Sequence, residues 1–380
     1  MTAATTEIEN PLHRLTDEQI ERIGEEFQAM HDEVFDDLGE HDAIYIRSII
    51  EFHRRLAALS RIVLMASQYK PAWVLGTAGL SAAKIIENME IGHNVMHGQW
   101  DWMNDPYIHS STWDWDTASP NSAWKHSHNY VHHTFTNIVG KDKDVGYEIM
   151  RVDPAQKWYP HYLLQPLYNV LLMAFFEWGV AVHDLDFEAI RTGKKPMRQV
   201  RDELRAIGRK GFKSTLAANF TANIARNVWS NAIIFCGHFP DQAYTFTEEE
   251  GNDDRPGAWY VRQLLGAANI EGNSFFHFMS GNLSYQVEHH LYPDLPSSRY
   301  AEIAPRVKEI CERYGLPYNT GPFSKQWGSV QRTLIRLAFP GGKTRQKAPP
   351  YKAPAEESNN GGGNGKVRAG QAEAVLASFP

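Results

Sequence analysis

The chain has 380 residues, 42% hydrophobic and 22% charged, which is enough apolar material for one large domain or two average ones. Its formal net charge of −7 argues against a nucleic-acid-binding protein, in which a basic surface is expected. The two cysteines, Cys236 and Cys311, are too few and too far apart for a disulfide framework or a thiolate metal site.

The first predicted elements are amphipathic helices. Thr16-Asp-Glu-Gln19 is a capping box, and a second helix is predicted from Asp42 to Met65. No charged segment followed by an apolar run opens the sequence, so no secretory signal is predicted. We assign residues 1–41 to an N-terminal amphipathic segment that precedes the main domain, residues 42–339. The apolar residues after the capping box follow at helical spacing: Ile20, Ile23, Phe27, Met30 and Val34.

Three later stretches are apolar but fall short of the roughly 20 uninterrupted residues that a membrane-spanning helix needs. Residues 72–86 are short, residues 162–183 contain Glu177, and residues 215–239 contain Arg226. With a mean hydropathy of −0.46, composition alone favours a soluble protein.

Two further segments are polar. Residues 194–213 form a basic amphipathic stretch, interpreted as a solvated helix face or as a contact for anionic head groups. Residues 340–380 are rich in Pro and then in Gly and Asn, so we predict a disordered tail. Because alternating strand patterns are scarce, the predicted fold class is all-α.

The chain concentrates histidine in three short clusters. These clusters hold seven of the 17 histidines. They are His93-Asn-Val-Met-His97, His128-Asn-Tyr-Val-His132-His133 and Gln286-Val-Glu-His289-His290.

Helical spacing gives these clusters a chemical meaning. Residues i and i+4 share a helix face, so His93 and His97 can bind one metal ion, as can His128 and His132. Adjacent residues diverge by about 100° on a helix, so two His-His pairs indicate a site with two metals. Imidazole ligands suit Fe, Cu, Zn and Ni.

In this order, the patterns HxxxH, HxxxHH and QxxHH resemble the histidine boxes of the membrane fatty acid desaturases. The longer stretches IIENMEIGHNVMHGQWDWMNDP, NVWSNAIIFCGHFPD and GNLSYQVEHHLYPDLPS look like those of actinobacterial acyl-CoA desaturases. The resemblance covers roughly residues 42–336. It implies an integral membrane helical fold, with a cytosolic cap that carries the histidine boxes above the membrane helices.

The resemblance also implies an activity and a ligand set. The expected enzyme uses O2, two electrons and two iron ions to introduce a cis double bond, at the delta-9 position, into a long-chain acyl-CoA. His238, in CGHFP, matches a histidine that the family supplies from its last membrane helix. The implied iron ligands are His93, His97, His128, His132, His133, His238, His289 and His290.

Further residues are expected around the ligands. Gln286 occupies the position at which related animal enzymes place another histidine. Glu90 lies before His93 in sequence and is expected to orient its imidazole through a hydrogen bond. Asn282 and His109 complete the set of expected supporting residues.

The expected partners are an acyl-CoA substrate, membrane lipid and a separate electron donor. No HPGG-type haem-binding segment is present, so a ferredoxin or an NAD(P)H-dependent flavin reductase is expected to deliver electrons. The expected location is the cell membrane, with the metal site facing the cytoplasm. In one departure from the family, an apolar arm is missing near Phe212, which leaves the number of spans open.

Three other hypotheses remain. A fatty-acyl hydroxylase or epoxygenase on the same scaffold differs only in where the substrate C–H bond lies. A soluble ferritin-like desaturase needs paired Glu-x-x-His motifs, of which only Glu90-x-x-His93 is found. A His-rich metal-storage protein would need neither the apolar segments nor the fixed order of the clusters.

Overall fold

The computed structural model describes residues 10–341, except 68, 155, 184–195, 197, 204, 206–216, 248–249 and 254. The predicted disordered tail from residue 342 onward, most of the basic stretch and the region around Phe212 lie outside the described residues. Regular structure in the described part is almost entirely helical, which confirms the predicted helical class.

The α-helices of six or more residues are labelled in chain order. They are α1 (Asp17–Asp36), α2 (Glu40–Leu64), α3 (Lys70–Ile86), α4 (Gln165–Ala174), α5 (Phe176–His183), α6 (Ala217–His238), α7 (Pro256–Gly266), α8 (Ser274–Met279), α9 (Gln286–Leu291), α10 (Tyr300–Tyr314) and α11 (Phe323–Leu337). Two π-helices span Glu87–His93 and Lys125–His132, and short α-helical turns span Asn94–Met96, Asn121–Trp124 and His133–Phe135. The 3-10 turns are Pro11–Arg14, Asp101–Met103, Val145–Glu148, Pro160–Leu164, Glu250–Asn252 and Ser297–Arg299. Strands β1 (Asn269–Glu271) and β2 (Thr320–Pro322) pair in parallel, with Ile270 opposite Gly321.

Helix α1 forms as predicted and packs against α7. Its capping box is closed, because the Gln19 backbone N–H donates to Thr16 Oγ1 (3.2 Å) and the Thr16 N–H donates to Gln19 Oε1 (2.9 Å). A Cβ atom on Gly257 of α7 would lie 1.7 Å from the carbonyl oxygen of Ile20, so the two helices approach closely only because this residue is glycine. All five predicted apolar positions are buried: Ile20, Ile23, Phe27, Met30 and Val34.

An ion pair joins α1 to the segment that follows the third histidine cluster. His31 Nε2 lies 2.9 Å from Asp294 Oδ2, and His31 Nδ1 lies 3.1 Å from Asp32 Oδ1. The hydrogen bond to Asp294, opposed by partial burial, raises the pKa of His31 from 6.5 to about 9. The same region is held by Tyr292, whose hydroxyl donates to the carbonyl of Phe27 (3.0 Å).

This raised pKa predicts a pH-dependent contribution to stability. The charged form of His31 is favoured in the folded state, so the stabilisation is complete below the unfolded pKa of 6.5 and is lost as pH rises through about 9. We therefore expect the melting-temperature difference between the parent protein and His31→Gln to be largest near about pH 6 and to shrink toward about pH 10. A difference that stays constant over this range would contradict the prediction.

The remaining long helices pack side by side. Helix α2 runs along α3, α3 packs on α6, and α6 also contacts α4 and α11. The core between α6 and its neighbours contains Phe235, Phe239, Leu172, Phe176 and Leu334. Nowhere in the described part of the chain does a helix have both the length and the apolar character needed to cross a bilayer.

Tight backbone packing brings the first and third histidine clusters together. Gly281, in the turn before α9, has a φ of +66°, and a Cβ there would lie 2.4 Å from the carbonyl carbon of Met89. This turn therefore approaches the first π-helix to a distance that only glycine allows. On the other side of α9, buried Glu288 accepts hydrogen bonds from Tyr318 Oη (2.7 Å) and Asn269 Nδ2 (2.8 Å), which fixes α9 to strand β1.

Candidate metal centre

The first two histidine clusters lie on π-helices, whereas the spacing argument assumed α-helices. His93 ends one π-helix, and His128 and His132 lie in the other. The i→i+5 hydrogen bonding changes the local pitch, yet the paired rings remain neighbours. The ring centroids are 4.7 Å apart for His93 and His97, and 5.0 Å apart for His128 and His132. Short π-helical segments occur frequently at functional sites.

The three clusters and His238 converge into two groups of imidazoles. In each group, one ring nitrogen per residue lies within 4.8 Å of the others. His93 Nε2 is 3.4 Å from His289 Nε2 in one group, and His238 Nε2 is 3.4 Å from His290 Nε2 in the other. The His93 group consists of His93, His97, His128 and His289, and the His132 group consists of His132, His238 and His290.

Adjacent histidines serve different groups, as the angular argument predicted for a site with two metals. The rings of His289 and His290 are 5.5 Å apart at an interplanar angle of 79°, and one residue belongs to each group. His133 lies between the groups. Its ring centroid is 4.7 Å from that of His97 and 4.6 Å from that of His290.

Carboxylates contact the outer ring nitrogens of the second cluster, that is, the Nδ1 atoms that face away from the centre. Asp142 Oδ2, almost fully buried, lies 3.0 Å from His132 Nδ1 and also accepts the Asn137 backbone N–H at 2.8 Å. A carboxylate can only accept here, so His132 carries its proton on Nδ1. Asp144 Oδ2 lies 3.4 Å from His128 Nδ1.

Neutral groups hold the outer nitrogens of the third cluster. His290 Nδ1 lies 3.2 Å from Gln263 Oε1. His289 Nδ1 lies 3.3 Å from the hydroxyl of Tyr300, which already donates to the carbonyl of Tyr292 and therefore faces His289 as an acceptor. With the proton fixed on Nδ1, the lone pair of each Nε2 points into the cluster, as metal-ligating histidines require.

The inward-facing nitrogens fit metal ions. Nε2 of His97 and His132 and both ring nitrogens of His133 are buried without a hydrogen-bond partner in the described structure. Such groups are costly to bury unless something binds them. Burial also lowers the pKa of His133 and His290 well below the usual range, which favours the neutral form that binds metals.

His132 behaves differently from its neighbours. Burial acts to lower its pKa, but the charge and hydrogen bond of Asp142 outweigh that effect and raise it. His132 is therefore supported by an anion, whereas the hydrogen-bond partners of Nδ1 in His289 and His290 are uncharged. An anionic partner makes the ligand more basic and holds it more firmly.

Of the expected supporting residues, Gln286 contacts a histidine, whereas Glu90 and Asn282 contact each other. Gln286 contacts the cluster, because its Nε2 lies 3.1 Å from His238 Nε2. Glu90 was expected to orient His93, but its carboxylate instead accepts from Tyr45 Oη (2.6 Å) and Asn282 Nδ2 (3.3 Å). Glu90 and Asn282 thus bond each other at the edge of the site.

His109 does not join the two groups. Its Nδ1 lies 2.8 Å from Ser111 Oγ and 3.6 Å from Asp101, in the loop that follows the first cluster. The aromatic sequence around it gave no spacing relation to any cluster, so only proximity in sequence had suggested it. Its observed contacts make it a residue that orders this loop.

Sequence reasoning missed the residues that hold the outer nitrogens. Asp142 and Asp144 could have been found, since the sequence GKDKD begins seven residues after His133 and carboxylates commonly bond metal-ligating histidines. Gln263 and Tyr300 carried no such signal. They reach the site from α7 and α10, at no regular spacing from any histidine.

The chain also resembles known proteins over most of its length. Residues 71–322 match the family model described as fatty acid desaturase. The chain is 47% identical over 367 residues to the NADPH-dependent stearoyl-CoA 9-desaturase of Mycobacterium tuberculosis, covering 91% of this chain and 86% of that protein. It is 26% identical over 312 residues to the sn-1 linoleoyl-lipid 6-desaturase of Synechocystis, covering 75% of this chain and 86% of the other. The histidine boxes and these similarities together show that the chain belongs to the fatty acid desaturase family.

Proposed function

We propose that this protein is an acyl-CoA desaturase that introduces a cis double bond at the delta-9 position of a long, saturated acyl chain. One observation carries the proposal: three histidine boxes and His238 bring their ring nitrogens together in two adjoining groups at a single centre. The mycobacterial relative, 47% identical, is named a stearoyl-CoA 9-desaturase, which supports the substrate and position.

The donor set fits two iron ions. Iron would be held by the His93 group, by the His132 group and by His133 between them, all of which are imidazoles suited to iron. When bound, iron supplies the O2 chemistry that removes two hydrogen atoms from an unactivated pair of methylene carbons. The two hydrogen atoms removed from the substrate, two electrons from a reductant and two protons from solvent together convert O2 into two molecules of water.

The chain's own residues position the substrate. A cavity beside His93 and His128 is walled by aromatic and aliphatic side chains, among them Trp115, Trp124 and Phe176. An acyl chain in this cavity would be held against the imidazoles, and water would be excluded from the reacting carbons.

The reductant is proposed to be NADPH, acting through a separate ferredoxin or flavin reductase. The name of the mycobacterial relative includes NADPH dependence, which supports this electron source.

A membrane location, with the metal site toward the cytoplasm, is proposed from the exposed apolar surface. Large apolar side chains are exposed at the turn between α2 and α3 and along α4 and the 3-10 turn before it. Large exposed apolar patches on a protein often mark a site of contact with a membrane or another protein. The exposed side chains include Leu59, Ile62, Met65, Val74, Leu75, Leu163, Leu164, Leu167, Val170 and Leu171.

Expression in a desaturase-deficient host, followed by gas chromatography of total fatty acids, tests the proposed function. We expect a new cis monoene with its double bond between carbons nine and ten, and we expect none with His132→Ala. Hydroxy or epoxy acids in place of the monoene would support the alternative, a hydroxylase or epoxygenase on the same scaffold. Absence of any new product from correctly folded, iron-loaded protein would overturn the proposal.

A further inference from the structure

Two charged residues interrupt the apolar sequences, and they pair with each other. Glu177 on α5 and Arg226 on α6 form an ion pair of 2.8 Å between Glu177 Oε2 and Arg226 Nη2, with Arg226 1% and Glu177 10% exposed. Arg226 also donates from Nη1 to the carbonyl of Asp116 (2.6 Å), and its Nη2 donates to Asn227 Oδ1 (3.1 Å). A buried ion pair is retained only when its partners and geometry are this complete.

The pair lines the same cavity as the histidines. The cavity is bounded by His93 and His128 and also by Glu177, Arg226 and Asn227. Arg226 precedes His238 by twelve residues on α6, which places it about 18 Å away along the helix axis. The cavity is therefore bounded both by imidazoles of the metal centre and by a charged, hydrogen-bonded wall, the Glu177–Arg226 pair.

The apolar methyl end of an acyl chain would form no stabilising contact with this charged wall. To pass it, the chain would have to displace Arg226 from Glu177 and from Asp116, which would leave buried charges and a buried carbonyl unpaired. The apolar lining of the cavity includes Phe176 and Val180, which lie on the same helix as Glu177, and Ile234, which lies on the same helix as Arg226.

We propose that the Glu177–Arg226 pair closes the methyl end of the acyl cavity and sets the longest acyl chain that the enzyme accepts. This inference rests on the proposed desaturase function and names the residues that would determine its chain-length specificity.

The decisive variant removes both charges together. Single substitutions would leave one buried charge without its partner and would destabilise the protein, whereas Glu177→Ala/Arg226→Ala keeps the wall neutral and opens space. We expect the ratio of kcat/KM for arachidoyl-CoA to that for stearoyl-CoA to rise by about tenfold or more. The control is Asp42→Ala/Arg299→Ala, which removes another substantially buried ion pair, between α2 and the 3-10 turn before α10, that does not line the cavity.

A second variant narrows the cavity instead of enlarging it and leaves the ion pair in place. Val180→Phe narrows the cavity, so we expect the ratio of kcat/KM for stearoyl-CoA to that for palmitoyl-CoA to fall by about tenfold. Because this variant keeps both charges, it tests whether the methyl end occupies this cavity even if the double variant fails to fold, and an unchanged ratio would overturn the inference. Direct binding of the same acyl-CoA series, measured by thermal shift, should give the same order of preference as the kinetics.

The outcomes separate this inference from the proposed function. A parent protein that binds no acyl-CoA and forms no monoene overturns the proposed function. A parent protein that is active, with chain-length ratios unchanged in both folded variants, overturns the inference alone. An equal rise in KM for every chain length in the double variant also overturns it, because the pair would then lie at the thioester end.

Discussion

Replacing His133 with alanine should abolish product formation and remove about one metal ion per protein molecule. His133 lies between the two imidazole groups, and both of its ring nitrogens are buried without a hydrogen-bond partner in the described structure. Alanine would leave an empty space between the two imidazole groups, and the remaining histidines could no longer supply a ligand between the two metals. Metal analysis of the purified protein and gas chromatography of its products measure the two effects.

His126→Ala is the matched control for this experiment. His126 lies on the π-helix that leads directly into the turn carrying His133, but it is exposed and stacks on Tyr130, with ring centroids 5.8 Å apart. We expect this variant to keep its metal and its activity. Unchanged metal content in His133→Ala would contradict a ligand role for His133, and equal losses in both variants would point to damage to the helix.

Asp142→Asn should weaken metal binding by about 10- to 100-fold while leaving the fold intact. Asparagine keeps an oxygen that can accept the Asn137 backbone N–H, but it removes the charge that raises the pKa of His132 and fixes the proton on Nδ1. Without the carboxylate on Nδ1, nothing anionic would keep the Nε2 lone pair of His132 directed toward the centre. Iron retained after dialysis against increasing chelator concentrations measures the loss.

A carboxylate elsewhere provides the comparison for Asp142. Asp241 is partly buried and lies 3.4 Å from Arg332, so Asp241→Asn removes a similar charge without touching a histidine. Iron affinity equal to that of the parent protein is expected for this control. If Asp142→Asn retains iron as tightly as the control does, the carboxylate does not support metal binding.

The sequence predicted the histidine site better than its surroundings. Spacing within each cluster identified neighbouring rings, and the divergence of His289 and His290 predicted two separate groups. The convergence of distant clusters came from the family resemblance, because spacing carries no information across nearly 200 intervening residues. Glu90 illustrates the limit of this reasoning. Its spacing from His93 suggested a hydrogen bond to that imidazole, but the Glu90 carboxylate accepts from Tyr45 and Asn282 instead.

The pairing of Glu177 with Arg226 was hidden for a different reason. Each residue was recognised as a polar interruption of an apolar stretch, but they lie on separate helices, 49 positions apart, with no repeat linking them. The capping box of α1, by contrast, involves only Thr16 and Gln19 and was predicted fully. Local hydrogen bonds can be predicted from sequence, whereas contacts between helices depend on the tertiary packing that brings them together.

The first π-helix also determines how this region responds to insertions and deletions. Its i→i+5 bonds accommodate one residue more than an α-helix would, so loss of a residue such as Asn88 would let the i→i+4 pattern of α3 continue with the downstream phase nearly preserved. An extra residue inserted into α3 has no such accommodation and would turn His93 by about 100° relative to the turns before it. Such an insertion would inactivate the enzyme although every histidine box would remain intact in the sequence.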